Sequence, residues 1–138
     1  EYKDEDRETY ASQVGFIAFD VRGLKMVNDV MKDHEYGDRY LTAVVHNTRE
    51  QVLPDFTKIL GEDCSIDMAR DGGDEFSLVI ESRHRSLDEP MSAVKFAELI
   101  DDTEFSTQVT EPKPLIQLMN QYLEFRLAQM TNDIIPKE

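Results

Sequence analysis

The sequence predicts an α/β domain of the α+β kind, in which a mixed, mainly antiparallel sheet is flanked by helices. Three observations predict it. A short, nearly unbroken apolar run, Val14 to Phe19, ends at Asp20. Two stretches that alternate apolar and polar residues, 64–68 and 76–80, flank the turn-forming Asp71-Gly72-Gly73. Around them lie segments whose apolar residues recur at helical spacing.

Residues 1–12 are charged and read as a linker or leading helix, with the domain proper over 13–138. Val14-Gly15-Phe16-Ile17-Ala18-Phe19 shows no polar alternation, which predicts a central strand buried on both faces rather than an edge. After Arg22-Gly23, the residues Leu24, Val27, Val30 and Met31 form one face of a first helix that ends near Lys32-Asp33-His34. A second helix starts around Asp38 and carries Leu41, Val44, Val45 and Thr48. Pro54 breaks it or begins a new turn, because proline has no amide hydrogen and its ring crowds the preceding turn. Phe56, Ile59 and Leu60 continue the apolar face until Gly61 closes it.

Cys64, Ile66 and Met68 alternate with polar positions, as do Phe76, Leu78 and Ile80, so these are two antiparallel strands of a hairpin. Residues 90–101 are helical, with Ala93, Phe96, Ala97 and Ile100 on one face. A polar stretch containing Pro112 and Pro114 follows. The last helix runs from about Leu115 to Met130, with Leu118, Met119, Tyr122 and Leu123 facing inward.

At 138 residues the chain has the length of one domain that folds around a single core. Its one cysteine, Cys64, has no disulfide partner, which points to a buried structural thiol in a reducing, cytoplasmic compartment. The formal net charge of -14, from 29 acidic and 15 basic residues, argues against nucleic acid or an anionic membrane as partner. No apolar run approaches the roughly 20 residues of a membrane span. Glu1-Tyr2-Lys3-Asp4-Glu5-Asp6 lacks the order of a signal peptide. With no initiating Met, the chain reads as a piece of a longer sensor-type protein. His34, His46 and His84 form no metal-ligand spacing with one another or with Cys64, and the runs Asp4 to Asp6 and Asp101-Asp102 read as solvated faces.

Asp20 closes one strand, while Asp74 and Glu75 lie at the hairpin turn. If the hairpin pairs beside the 14–19 strand, these carboxylates converge at one sheet end, where hard oxygen ligands suit Mg²⁺ or Mn²⁺. Nucleotidyl transfer needs such charge neutralisation more than covalent participation by the protein. Gly72 and Gly73 permit positive φ in a tight turn and the close approach of a phosphate or base. Taken alone, Asp-Gly-Gly-Asp is more simply a good hairpin turn whose acids are solvated.

Three motifs add to this. The first is Asp20-Val21-Arg22-Gly23-Leu24-Lys25-Met26-Val27-Asn28-Asp29, the second His34-Glu35-Tyr36-Gly37-Asp38, and the third Arg70-Asp71-Gly72-Gly73-Asp74-Glu75-Phe76. In this order, from Phe16 to Phe76, the chain resembles the GGDEF family of diguanylate cyclases. The resemblance implies a nucleotidyl-cyclase, palm-like fold and the condensation of two GTP to cyclic di-GMP, with Mg²⁺ or Mn²⁺, at a homodimer interface. Asp20 and Asp74 would hold the metals, with Glu75 beside them and the Val21 carbonyl as an extra ligand; Asp74 and Glu75 would be catalytic. Asn28 and Asp38 would read the guanine edge, and the backbone of Gly23, Leu24 and Lys25 would cradle phosphates.

The chain departs from the family pattern at several points. Arg22 stands where a second acid is common, Asn28 and Asp38 are one residue further apart, and the segment from Asp38 to Gly72 is longer. After the third helix there is no Ser-Ile-Gly-like strand, and the last helix lacks the Ala-Lys-x-x-Gly-Arg-Asn ending. Arg126 is the one cation in its middle and reads as a solvated or snorkelling side chain. Asp63-Cys64-Ser65-Ile66 replaces the product-inhibition motif, so feedback by cyclic di-GMP is not expected at that place. The unmatched C-terminal third supports a second expectation, a domain that kept the pocket as a nucleotide sensor or protein-interaction module. A third is a structural domain with a coincidental turn.

Overall fold

The computed structural model describes residues 13–21, 34–83 and 85–134, and the side chains of these apart from 34–37 and 132–134. In chain order the elements are β1 (Gln13–Asp20), α1 (His34–Asn47), a π turn (Thr48–Val52), α2 (Leu53–Leu60), β2 (Cys64–Arg70) and β3 (Glu75–Ser82). There follow β4 (Pro90–Met91), α3 (Ala93–Leu99), a 3₁₀ turn (Phe105–Thr107), β5 (Lys113–Pro114) and α4 (Leu115–Ile134). The first helix expected from Leu24 to Met31 lies outside the described residues.

β1, β3 and β2 form a sheet in that order, with β3 antiparallel to both neighbours, so β1 and β2 run parallel on either side of it. Register follows from the alternation. Phe19 faces Phe76, Ile17 and Met68 face Leu78, and Ile66 faces Ile80, which gathers the apolar side chains of all three strands on one face. Phe19 and Phe76 stack there at 5.6 Å between ring centroids.

β1 is not the central strand that its apolar run predicts. It lies at the edge of the described sheet, and its side chains obey the pleat: Ile17 and Phe19 are buried, while Val14 is 54% and Phe16 68% exposed. An antiparallel sheet packed on one face needs only alternate positions to be apolar, so continuity of the run carried no information about burial. β3, which buries Phe76, Leu78 and Ile80, holds the centre instead.

The buried face is covered by helices. Leu115, Leu118, Met119, Tyr122, Leu123, Leu127 and Met130 recur along α4 at three- and four-residue steps, and all are buried. Phe56, Phe96, Phe105 and Phe125 surround Tyr122 with ring centroids 5.3 to 6.4 Å from its own. Aromatic packing of this kind ties α2, α3 and the 3₁₀ turn to α4.

Of the two outcomes expected of Pro54, it begins a new turn rather than breaking the helix. α1, the π turn and α2 follow one another without a gap, and Pro54 sits in the first turn of α2, where its missing N–H costs least. The wider π turn just before it relieves the helix where the proline ring would crowd the carbonyl four residues back. Thr48 is fully buried there, its Oγ1 donating to the Val44 carbonyl at 2.8 Å. Gly61 ends α2 at φ 87°, a conformation that favours glycine, and its N–H closes on the Thr57 carbonyl.

Ser92 caps α3 by accepting from the Lys95 N–H at 3.1 Å, and Ala93, Phe96, Ala97 and Ile100 are buried on its inner side as predicted. Asp102 is more than a solvated acid: its Oδ1 accepts from the Phe105 N–H and starts the 3₁₀ turn. The helix predicted over 90–101 is shorter, and Pro90–Met91 instead pairs with Lys113–Pro114 as β4 and β5, strands too short to carry any periodicity.

Candidate functional site

The hairpin places the acidic end of the sheet. Glu75 pairs with Asp20 as the last residues of the β1–β3 ladder, and the Val21 N–H then donates to the Asp74 carbonyl at 2.9 Å. The two acidic strand ends therefore lie side by side, as the sequence predicts. In the turn, the Asp71 N–H donates to the Glu75 carbonyl at 2.8 Å, and the Glu75 N–H to the Gly72 carbonyl at 3.4 Å.

Arg70 fastens this turn. Its Nε donates to the carbonyls of Gly72 at 3.3 Å and Gly73 at 3.0 Å, its Nη2 donates to Gly73 at 2.6 Å, and the guanidinium lies over the Phe76 ring at 6.0 Å. Neither glycine adopts positive φ, contrary to the sequence expectation. Space is at issue only at Gly72. A Cβ on Gly73 would meet nothing within 4 Å, and one on Gly72 would press on Glu75 Oε2 at 3.3 Å.

Asp20, Asp71 and Glu75 line a cleft of about 340 Å³ together with Glu124 of α4, over Ala18, Phe19 and Phe76. Asp71 and Glu124 add to the carboxylates named from sequence. The signal for Asp71 was its place beside the glycines; Glu124 gave none, since only the packing of α4 against β1 brings it to the sheet end. Carboxylate oxygens are the donor type that Mg²⁺ or Mn²⁺ takes, and in that respect these residues fit. Among the described residues, no three Asp, Glu, His or Cys side chains stand close enough to grip one ion together. Asp74 contributes its carbonyl to the ladder and is half-buried, next to Val21, which is buried.

Asp74, Val21, Gly72 and Gly73 do not line this cleft, and the remaining predicted site residues are not gathered in it. Asp38 is exposed on α1 and lines a separate cavity with Arg39, Thr42, Ala43, His46 and Asn47. Asn28, Gly23, Leu24 and Lys25 lie outside the described residues.

Arg126 is not a solvated side chain. Its Nη1 donates to the Tyr122 hydroxyl at 2.8 Å and stands 3.5 Å from Asp55 Oδ2, while Nη2 donates to Gln51 Oε1 at 2.5 Å. The Tyr122 hydroxyl in turn donates to Asp55 Oδ2 at 2.6 Å. Burial, reinforced by the Asp55 carboxylate, pushes the Tyr122 phenol well above its ordinary range. This network joins the π turn and α2 to α4 and occupies the cation that the last helix could have offered to a phosphate.

Cys64 is half-buried rather than a core thiol. Its Sγ donates to the Gly61 carbonyl at 3.0 Å, and burial raises it above the usual thiol value. No helix among the described residues is long and apolar enough to cross a membrane.

Comparison with models of known protein families gives no match, and neither curated proteins nor solved structures include a significant relative of the chain.

Proposed function

We propose that the chain is a GGDEF-type nucleotidyl cyclase domain of palm-like fold that condenses two GTP into cyclic di-GMP, each of two facing protomers presenting one GTP. The observation that carries this reading is the Asp20–Glu75 pair, extended by the Val21 to Asp74 hydrogen bond, in a chain whose motifs resemble that family. Strands β1 and β2 running parallel around an antiparallel β3, with the acidic turn at one end, suit it as well.

Two Mg²⁺ or Mn²⁺ ions divided among Asp20, Asp74, Glu75 and the Val21 carbonyl, rather than one ion gripped by all three carboxylates, would neutralise the phosphates and polarise the attacking hydroxyl. The protein's own part is positional and acid–base. Asp74 or Glu75 takes the proton from the 3′-hydroxyl of one GTP as its oxygen bonds to the α-phosphorus of the other. The bond from that phosphorus to the β-phosphate oxygen breaks, and pyrophosphate leaves. A second such step, with the roles exchanged, closes the ring. Asn28 and Asp38 would hold the guanine edge, and the backbone at Gly23, Leu24 and Lys25 the terminal phosphates.

One observation favours a second reading, a domain that binds a nucleotide as a sensor without turning it over. Arg126 is committed to Asp55, Tyr122 and Gln51, so it lends no charge to a triphosphate. Incubation with GTP and Mg²⁺ or Mn²⁺, with separation of the products, discriminates between the two. The cyclase reading expects cyclic di-GMP, a rate per protomer that falls on dilution, and no product from Asp74→Asn. A rate indifferent to dilution would sink the two-protomer mechanism. GTP binding without product selects the sensor, and failure to bind GTP with either metal removes both readings.

A further inference from the structure

A third cavity, of about 480 Å³, meets the carboxylate cleft at Phe76, which lines both. Its other lining comes from α1 and the π turn, with Leu41, Val45 and Phe76 as an apolar wall and His46, Arg49 and Arg70 as polar groups. Two features set it apart. Neither Arg49 nor Arg70 has a carboxylate partner among the described residues, although acids outnumber bases 29 to 15 in the chain. And Arg49 stands on the π turn, an irregularity that breaks regular helix bonding and recurs at functional sites.

Arg70 arrives at this cavity already ordered. Its Nε and Nη2 are spent on the Gly72 and Gly73 carbonyls, while Nη1 has no hydrogen-bond partner among the described residues. A guanidinium fixed by neutral carbonyls keeps its full charge and needs little further ordering to meet an anion. The π turn buries Thr48 and Val52 and leaves Arg49 facing outward toward the same space. Glu50 also lines the cavity and offsets part of the charge, so an anion there depends on both guanidinium groups.

We propose that this cavity is a metal-independent nucleotide site, in which Arg49 and Arg70 hold the phosphates and the base lies on half-buried Val45 beside the exposed His46, above the buried Leu41 and Phe76. Phosphate is the chemistry that two guanidinium groups without an ion-pair partner among the described residues select, and the apolar wall distinguishes a nucleotide from a bare polyphosphate. The site goes beyond the cyclase reading and does not rest on it.

Calorimetric titration of the whole chain with GTP in EDTA tests it, with inorganic pyrophosphate titrated in parallel. Wild type binds GTP without metal, and Arg49→Gln weakens that binding about tenfold or more, the scale of one lost charge-assisted hydrogen bond. Arg49→Lys, which keeps the charge but not the fork, falls between the two. Arg49 is exposed on a helix, so circular dichroism of Arg49→Gln should match wild type. No binding in EDTA, or Arg49→Gln binding as tightly as wild type, overturns the proposal. Pyrophosphate binding as tightly as GTP overturns the assignment of a nucleotide. Because these arms exclude divalent ions, failure of the cyclase reading would appear instead as missing product with Mg²⁺ or Mn²⁺, with binding in EDTA intact.

Discussion

Glu75 stands directly across from Asp20 at the last pair of the β1–β3 ladder, so two carboxylates share the open face of one sheet end. Like charges placed opposite each other on neighbouring strands destabilise a sheet. Neither has a cationic partner among the described residues. Such an arrangement carries a cost, which a cation between the pair, as the proposed cyclase reading requires, would relieve.

Glu75→Gln should therefore stabilise the protein in EDTA by up to about 1 kcal/mol, the scale of one cross-strand pair. The same substitution should reduce the stabilisation that millimolar Mg²⁺ or Mn²⁺ gives to wild type. Urea denaturation followed by circular dichroism, with and without metal, reads both effects. A wild-type midpoint that metal leaves unmoved, with no gain for Glu75→Gln in EDTA, would show the two acids to be merely solvated.

Adjacent residues of β1 provide a second test. Ile17 is buried against Leu78, whereas Phe16 is on the other face and mostly exposed. Ile17→Ala should cost about 2 to 4 kcal/mol through lost burial and a cavity, and Phe16→Ala no more than about 0.5 kcal/mol, as for other surface positions. Equal losses at the two positions would restore a strand buried on both faces.

How far the sequence could be read depended on whether the determinant was local. The hairpin was legible because turn chemistry and strand alternation are both local, and so was α4, whose buried positions recur at helical spacing. Closure of α2 at Gly61 was legible for the same reason. The edge position of β1 was not, because an apolar run records tolerance for burial and leaves the number of covered faces open. Non-local packing hid the rest. Nothing in Glu124 indicates that α4 delivers it to the carboxylate cleft, and nothing in Arg126 announces a partner at Asp55, far away in the chain. Asp71 was partly legible, being flagged as turn chemistry but not as a cleft acid.

The clamp on the Gly72-Gly73 turn predicts a local loosening. Arg70→Lys keeps the charge but cannot bond both carbonyls through a planar fork. Because Arg70 is exposed, the global cost should stay below about 1 kcal/mol. The amides of Asp71 and Glu75, which close the turn, should exchange with deuterium faster in the variant than in wild type, while the amides pairing Ile17 with Leu78 should not change. Unchanged exchange at Asp71 and Glu75 would mean the turn holds without its arginine.

The Tyr122 network makes stability depend on alkaline pH. Burial first, and then the Asp55 carboxylate, raise the Tyr122 phenol above its ordinary value; burial also raises Tyr40, whose hydroxyl is hydrogen-bonded to Thr131. Unfolded tyrosine loses its proton near pH 10. Above that pH the unfolded chain gives up a proton that the folded chain keeps, so the folded state binds more protons and stability declines as pH rises. Below about pH 10 the contribution is complete. Wild type should thus lose stability from about pH 10 upward more steeply than Tyr122→Phe, which has no proton to lose at that position. At pH 7 wild type should be the more stable of the two: Tyr122→Phe removes a hydrogen bond to a charged group and leaves the pair of Asp55 and Arg126 short of a partner, at a cost of about 1 to 3 kcal/mol. Denaturation midpoints measured between pH 7 and 11.5 would show the two curves converging, and parallel curves would mean that the phenol ionises as readily in the folded protein as in the unfolded chain.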